Sequence, residues 1–284
     1  MKKDKLLLCT FSGGRTSAFM GKLLMELPKY KEYDKVFIFA NTGKEKEETL
    51  NFINKCDTEW GLNVVWLEAI VDPEKGKGTK HKVVSFKTAA RNGEPFIDIV
   101  KKYGIPNPFM SICTRELKQR PMDSYVKSLG YKHITTAIGI RFDERHRKSI
   151  RAKETNTIYP LCDDLPVDSS FIRNWWDRQC FDLELKDYEG NCDLCFKKSV
   201  RKRLTMIKEN PQAAKWWVDV EEKYADEKHP RWDLRSNKTM TELVEMANNH
   251  FKIIKDKHEE SKNQISLFND IDMDFETDCF CKAT

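Results

Sequence analysis

The chain has 284 residues, 33% of them charged, with 50 Lys and Arg against 45 Asp and Glu and a mean hydropathy of −0.66. No apolar run approaches the roughly 18 residues that cross a bilayer, so the expectation is a soluble protein without a membrane partner. A net charge of +5 is too small an excess to argue by itself for a polyanionic ligand.

The elements follow in chain order. Leu6 to Phe11 is a continuous buried-strand run, too short for a signal-peptide core, and the expected location is therefore cytoplasmic. Phe19, Leu23 and Leu27 then recur at helical spacing until Pro28. Val36–Ala40 repeats the strand pattern, 45–60 reads as a helix with an acidic start, and Val64–Leu67 supplies a third strand. Residues 71–112 break this alternation with Lys, Gly and Pro clusters around a short helix; they are expected to pass over the active site at the sheet's carboxyl edge. A helix near 115–129 ends at Gly130, and Ile134–Ile140 is a fourth strand. Beyond about residue 178 come Cys192-Asp193-Leu194-Cys195, a helix with Trp216 and Trp217, another helix over 239–258, and an acidic tail. The expected fold class is α/β, a Rossmann-like parallel sheet with helices on both faces, plus a mainly helical C-terminal lobe. Its expected domains are a nucleotide-binding domain over 1–178, a cysteine-containing lobe over 179–260 and a tail over 261–284.

Ser12-Gly13-Gly14-Arg15-Thr16-Ser17 lies directly between the first strand and the first helix. Glycines there let a backbone approach an anion closely, and a helix N-terminus offers unpaired N–H groups. Ser12 and Ser17 add hydroxyls, and Arg15 could add charge. This loop, Ala40-Asn41-Thr42-Gly43 with Glu45 and Glu48-Thr49, Gly139-Ile140-Arg141 with Glu144 and Arg147, and Tyr159-Pro160-Leu161 before Trp175-Trp176 occur in this order. Over residues 5–180 they resemble the PP-loop superfamily of ATP pyrophosphatases and phosphoadenylyl-sulfate (PAPS) reductases, with the adenine nucleotide alpha-hydrolase-like fold. Asn41 stands where Asp is usual. The resemblance implies that Ser12, Gly13, Gly14, Arg15, Thr16 and Ser17 hold the phosphates of ATP or PAPS, and that Asn41, Thr42 and Gly43 flank the nucleotide. It also implies that Arg141 and Arg147 face anionic substrate. Mg²⁺ accompanies ATP in such sites, with Glu45 and Glu48 as carboxylates within reach in sequence.

Nine cysteines in a chain read as cytoplasmic argue for metal or redox chemistry rather than a disulfide framework. Cys192 and Cys195 form a CxxC in a polar turn, a spacing that presents two thiolates to one metal. Cys113 begins a helix with Arg115 and Lys118 close by, which should lower its pKa; it resembles the cysteine segment of cluster-binding family members. Cys113, Cys192 and Cys195 could hold a [4Fe–4S] cluster, or Zn²⁺ with Cys180 as fourth ligand. Cys9 and Cys56 read as packing residues. Cys279 and Cys281 in the tail are expected as redox nucleophiles or terminal ligands.

The leading expectation is an enzyme that cleaves ATP at the alpha-phosphate for sulfur transfer to tRNA, DNA or a small acceptor, with a sulfur donor. Thiol-dependent reduction of PAPS, resolved by thioredoxin, is the alternative. A non-catalytic nucleotide sensor is the third, supported by the basic stretch 141–153.

Overall fold

The structure is a computed structural model that describes residues 4–74, 76–233, 236–249 and 251–256. Six strands form one sheet: β1 (Lys5–Thr10), β2 (Asp34–Asn41), β3 (Val65–Ile70), β4 (Lys80–Val84), β5 (His133–Ala137) and β6 (Thr157–Ile158). Their order is β4-β3-β2-β1-β5-β6, parallel except for β4. The helices are α1 (Arg15–Glu26), α2 (Glu47–Trp60), α3 (Glu94–Tyr103), α4 (Ile112–Thr114), α5 (Arg120–Ser128), α6 (Pro160–Asp163), α7 (Ser169–Trp176), α8 (Val200–Glu209), α9 (Gln212–Tyr224) and α10 (Met240–Asn248).

The period-2 alternation of a strand buried on both faces explains the layers. Leu7, Cys9, Phe37, Phe39 and Trp66 point to one face, where they pack with Phe19 and Leu23 of α1, Leu50 and Ile53 of α2, and Trp176 of α7. Leu6, Leu8, Ile38 and Leu67 point to the other, against Val126 of α5. Helices therefore cover both faces of a mainly parallel sheet, the α/β architecture expected. Cys9 and Cys56 are packing residues, both buried in the first of these layers.

Three details differ from expectation. Residues 71–112 do not only pass over the sheet: β4 turns back and pairs antiparallel along β3, from Trp66 opposite Val84 to Ile70 opposite Lys80. The expected helix at 115–129 begins earlier, at Ile112, and carries a π-type turn over Arg115–Gln119. Pro121 has no N–H for the carbonyl four residues back, which favours that irregular hydrogen bonding. The helix expected to run to 258 stops at Asn248. Past it the backbone is drawn across α8, where Lys208 Nζ bonds the carbonyls of Asn249 and Phe251 and Thr205 Oγ1 accepts from Ile254 N.

A second apolar cluster joins Phe96, Ile99 and Val100 of α3 and Ile112 of α4 to Leu204 and Ile207 of α8, Trp217 of α9 and Leu243 of α10. The helical segment after β4 thus shares its core with the C-terminal helices. This positions the latter beside the sheet's carboxyl edge.

Candidate functional site

From β1 the chain runs outward to β2 and β3, then returns to β5 on the other side of β1. The loop after β1 lies at this reversal of strand order, where the connections diverge and leave a crevice. Ser12–Ser17 occupies it. Gly13 has φ +81°, and a Cβ there would lie 2.7 Å from Thr49 Cγ2 and 2.9 Å from Ile53 Cδ1, both on α2. Only glycine meets both demands. Gly14 caps α1 without a side-chain cap, so the first turn keeps its N–H groups for another partner. Ser17 Oγ organises the loop by accepting from Ser12 N (3.2 Å) and Ser12 Oγ (3.0 Å) while donating to the Gly14 carbonyl (2.9 Å).

Thr49 is fully buried with its side chain against Gly13, and its hydroxyl has no hydrogen-bond partner among the described residues. Such an orphan costs about 1–3 kcal/mol, a cost that a ligand drawn into the loop could relieve. The Glu48-Thr49 motif signalled this residue in the sequence. Glu48 itself is exposed.

The two arginines closest to the loop in sequence motifs divide their roles. Arg15 turns away: its guanidinium grips the Asp182 carboxylate (2.7 and 2.8 Å) and bonds the Leu183 and Leu185 carbonyls. Arg15 thereby fastens α1 to the segment after α7. Arg141 reaches the loop, donating to Thr16 Oγ1 (3.2 Å), and is steadied by Asp143 (3.0 Å), whose carboxyl its hydrogen bond pulls below the usual range. Arg147 bonds Glu144 (2.7 Å) with its side chain 58% exposed. The structure brings Arg141 to the cradle and leaves Arg147 beyond it.

At the end of β2, Asn41 is wholly buried and its amide donates to the Glu68 carboxylate (2.8 Å) and the Ala90 carbonyl (2.9 Å). Its carbonyl oxygen accepts from Gly43 N (3.2 Å). An aspartate would set two carboxylates face to face, so the departure from Asp is compensated by Glu68, which sequence reading did not single out. Thr42 gives its N–H and hydroxyl to Glu45 at 2.8–2.9 Å. The Glu45 carboxylate, buried and 3.9 Å from Lys118 Nζ, is committed to the loop, and this does not fit it for Mg²⁺.

Lys44 and Lys46 link this loop to Asn191 and Asp193 of the cysteine turn. Lys46 N donates to the Asn191 carbonyl (2.7 Å), Asp193 N to the Lys44 carbonyl (2.9 Å), and Asn191 Nδ2 to the Ser12 carbonyl (2.5 Å). Asp193 holds Lys44 Nζ at 3.0 Å and Trp217 Nε1 at 2.8 Å, and Lys44 lies 4.6 Å over the Trp216 ring. Between the cysteines, buried Leu194 has φ +29°, an unfavourable backbone for a residue with a γ-branched side chain.

Cys113 and Cys192 pack in the second core, and both interact electrostatically with Cys195 and Lys118. The expected lowering of the Cys113 pKa is reversed. Burial raises it, against Lys197 and Lys118, while Arg115 turns aside to Glu116 at 2.7 Å. Burial, then Glu45, raises Cys192 further. For Lys118 burial alone would lower the pKa, but Glu45 and the three sulfurs carry it above its ordinary value. Cys180 is exposed and precedes Phe181, which packs on Trp60 and Trp176 in the first core; among the described residues it forms no metal-holding group with the other three. Among the described residues no group of three or more His, Cys, Asp or Glu is drawn close enough to share one metal ion. Cys279 and Cys281 lie outside the described residues. No helix of the described residues is long and apolar enough to cross a membrane.

Curated relatives include the uncharacterized nin region protein ORF290 of Escherichia phage lambda, 35% identical over 197 residues, covering 68% of this chain and 66% of that one. The uncharacterized protein MJ0973 of Methanocaldococcus jannaschii is 25% identical over 231 residues, covering 77% and 48%. The chain thus spans between about half and just under two thirds of these relatives' lengths. Among solved structures, the phosphate complex of PAPS reductase from Candida auris aligns with 15% identity and a TM-score of 0.36, covering 60% of this chain and 71% of that one. The phosphoadenosine phosphosulfate reductase domain matches residues 7–161, more than half of the chain and every segment of the cradle from β1 to Leu161. The chain belongs to the phosphoadenosine phosphosulfate reductase domain family.

Proposed function

We propose that the protein binds ATP with its β- and γ-phosphates in the Ser12–Ser17 cradle and cleaves it at the alpha-phosphate. The observation that carries this reading is the cradle itself: a glycine with no room for a side chain, an uncapped helix start, and the orphan hydroxyl of Thr49 beneath them. An acceptor oxygen attacks the alpha-phosphorus, the bond to the bridging oxygen breaks, and pyrophosphate leaves in the cradle. Arg141, held at Thr16 by Asp143, stabilises charge that develops on the phosphates. Asn41, Thr42 and Gly43, fixed by Glu68 and Glu45, form the wall against which the nucleoside lies.

A sulfur nucleophile held near Cys113, Cys192 and Cys195 then attacks the activated carbon of the adenylated acceptor, a nucleic acid or a small molecule; the new carbon–sulfur bond forms as the carbon–oxygen bond breaks, and AMP leaves with the acceptor oxygen. Burial raises the Cys113 and Cys192 thiols, which makes these two poor free nucleophiles at neutral pH. They suit holding a sulfur-bearing group next to Lys118, whose positive charge balances thiolates. The donor set is right in kind for a [4Fe–4S] cluster or Zn²⁺, with the three cysteines as ligands; a cluster would supply an exchangeable sulfide or an open iron. As positioned, the sulfurs must draw together to share an ion.

Family membership favours one second reading, reduction of PAPS. There a tail thiol, Cys279 or Cys281, attacks the sulfur, the nucleotide leaves, and thioredoxin releases sulfite from the resulting adduct. Paired assays separate the two. Anaerobically purified protein is given ATP and assayed for pyrophosphate, and given PAPS with a dithiol and assayed for sulfite. Pyrophosphate release lost in Arg141→Ala and retained in Cys192→Ala supports adenylation. Sulfite release that depends on Cys279 or Cys281, without ATP turnover, installs the reductase in its place.

A further inference from the structure

The phosphate cradle is a loop strung between β1 and α1, and its N–H groups serve an anion only if its two ends keep a fixed relation. The chain that holds both ends lies outside the matched domain, which stops at residue 161. Residues 182–191 form neither helix nor strand, yet they reach the loop twice. At the α1 end they receive Arg15, the first residue of that helix. Its guanidinium enters a cup of four acceptor atoms: Asp182 Oδ1 (2.7 Å) and Oδ2 (2.8 Å), the Leu185 carbonyl (3.4 Å) and the Leu183 carbonyl. The cup is itself fixed, since Leu183 N donates to Asp182 Oδ1 (2.7 Å) and the Leu183 and Leu185 side chains are buried in the first core. The backbone of the same residue is tied as well, because Trp176 Nε1 donates to the Arg15 carbonyl (3.0 Å). A guanidinium so engaged is an anchor, and it sets where the first turn of α1 begins.

At the β1 end the grip is Asn191. Its Nδ2 donates to the Ser12 carbonyl (2.5 Å), and the amide lies against Gly14, where a Cβ would sit 3.7 Å from Nδ2. The peptide unit is planar and trans, so fixing the Ser12 carbonyl also fixes the Gly13 N–H, which points the opposite way. Asn191 is held in turn by Lys46 N, which donates to its carbonyl (2.7 Å). Between the two grips, Asp187 pairs with Arg173 (3.0 Å) and Glu189 with Lys46.

From these two grips we propose that residues 182–191 are a clamp that sets the spacing of the cradle, with Asp182 and Asn191 as positioning residues that act through Arg15 and the Ser12–Gly13 peptide. This role rests on the reading of Ser12–Ser17 as a phosphate cradle and is independent of the reaction that follows. The left-handed turn at Gly13 belongs to the loop's own residues; the clamp governs only the aim of the N–H groups on either side of it.

Calorimetric titration of the full chain with inorganic pyrophosphate tests the clamp, with melting midpoints read in parallel. Asp182→Ala and Asn191→Ala are each expected to weaken binding about ten-fold. Arg15→Lys should weaken it as much as Asp182→Ala, because an ammonium keeps the charge but cannot fill the cup. The double variant Asp182→Ala/Asn191→Ala should lose less than the product of the two single losses, since one released end already frees the loop. A merely structural role would lower the midpoint and leave the affinity of the folded protein in place. Should Asp182→Ala fail to fold, Arg15→Lys and Asn191→Ala carry the same comparison. Unchanged affinity in the folded variants overturns the clamp. So does Arg15→Lys that binds like wild type, which makes Arg15 a charge rather than an anchor, and so does tighter binding in Asp182→Ala, which makes Asp182 a block that withholds Arg15 from the phosphates. Wild type that binds no pyrophosphate removes cradle and clamp together, whereas wild type that binds it but releases none from ATP sinks the reaction alone.

Discussion

Two turns meet at the candidate site, and they hold a left-handed residue in different ways. At Gly13, φ +81° needs no compensation, since glycine adopts it freely and the space a side chain would need is filled by Thr49 and Ile53. At Leu194, φ +29° is imposed on a buried leucine by its surroundings: the Asp193 contacts to Lys44 and Trp217 on one side, the second core on the other. The first turn is written into its own residues and is preformed. The second exists because distant segments converge on it, so its geometry is coupled to whatever loosens them.

That contrast can be broken most severely at the first turn. Gly13→Ala adds the left-handed penalty of about 1–2 kcal/mol to overpacking against Thr49 and Ile53, for a loss of about 4 kcal/mol in all. Chemical denaturation should show that loss, and titration with pyrophosphate should show binding abolished, with no rescue by Ile53→Val unless φ is the lesser term. A smaller effect is expected at the second turn. Asp193→Ala leaves the buried Lys44 ammonium and the Trp217 N–H without their partner, costing about 3 kcal/mol. Because Gly13 does not depend on this anchor, pyrophosphate affinity should be retained while Cys192 alkylation accelerates. If both properties fall together, the two turns form one unit and the contrast is wrong.

The same distinction governs what the sequence makes legible. The alternating apolar runs at Leu6–Phe11 and Val36–Ala40 announce a buried parallel sheet because both faces of each strand must be covered. The glycine loop is visible because glycine is the residue that its geometry demands. The β4 strand was not visible, since Lys80-His81-Lys82 is half exposed at a sheet edge and carries no apolar alternation. Glu68, Asn191 and Asp182 were equally silent; each acts through long-range hydrogen bonds that no local pattern encodes. Charge misled most. The run 141–153 looks basic in sequence, yet Arg141, Arg147, Lys148 and Arg151 are paired with Asp143, Glu144, Asp163 and Glu154. Of the same run, Arg145 lies over the Phe142 ring and bonds the Phe142 carbonyl instead of an acid. The lowered Cys113 pKa failed for a related reason: flanking cations are local, whereas the burial that outweighs them is tertiary.

The mildest perturbation tests that balance without unfolding either turn. Burial holds the Cys192 thiol protonated well above the pH at which an exposed thiol ionises, Glu45 reinforces it, and Lys118 opposes it. Thiolate is the reactive form, so Cys192 alkylation should be slow at neutral pH and climb only in alkaline solution. Glu45→Gln removes a negative neighbour, which favours the thiolate and moves the profile toward acid. Lys118→Met removes the opposing cation and moves it further toward alkali. Alkylation rates across pH, read at Cys192 by mass spectrometry, should order the three proteins as Glu45→Gln, wild type, Lys118→Met from fastest to slowest at any one pH. A profile that both substitutions leave in place would mean that burial alone governs the thiol. The cysteine turn would then be electrostatically independent of the Thr42–Glu45 loop, and its link to the phosphate cradle would rest on the backbone hydrogen bonds and Asn191 alone.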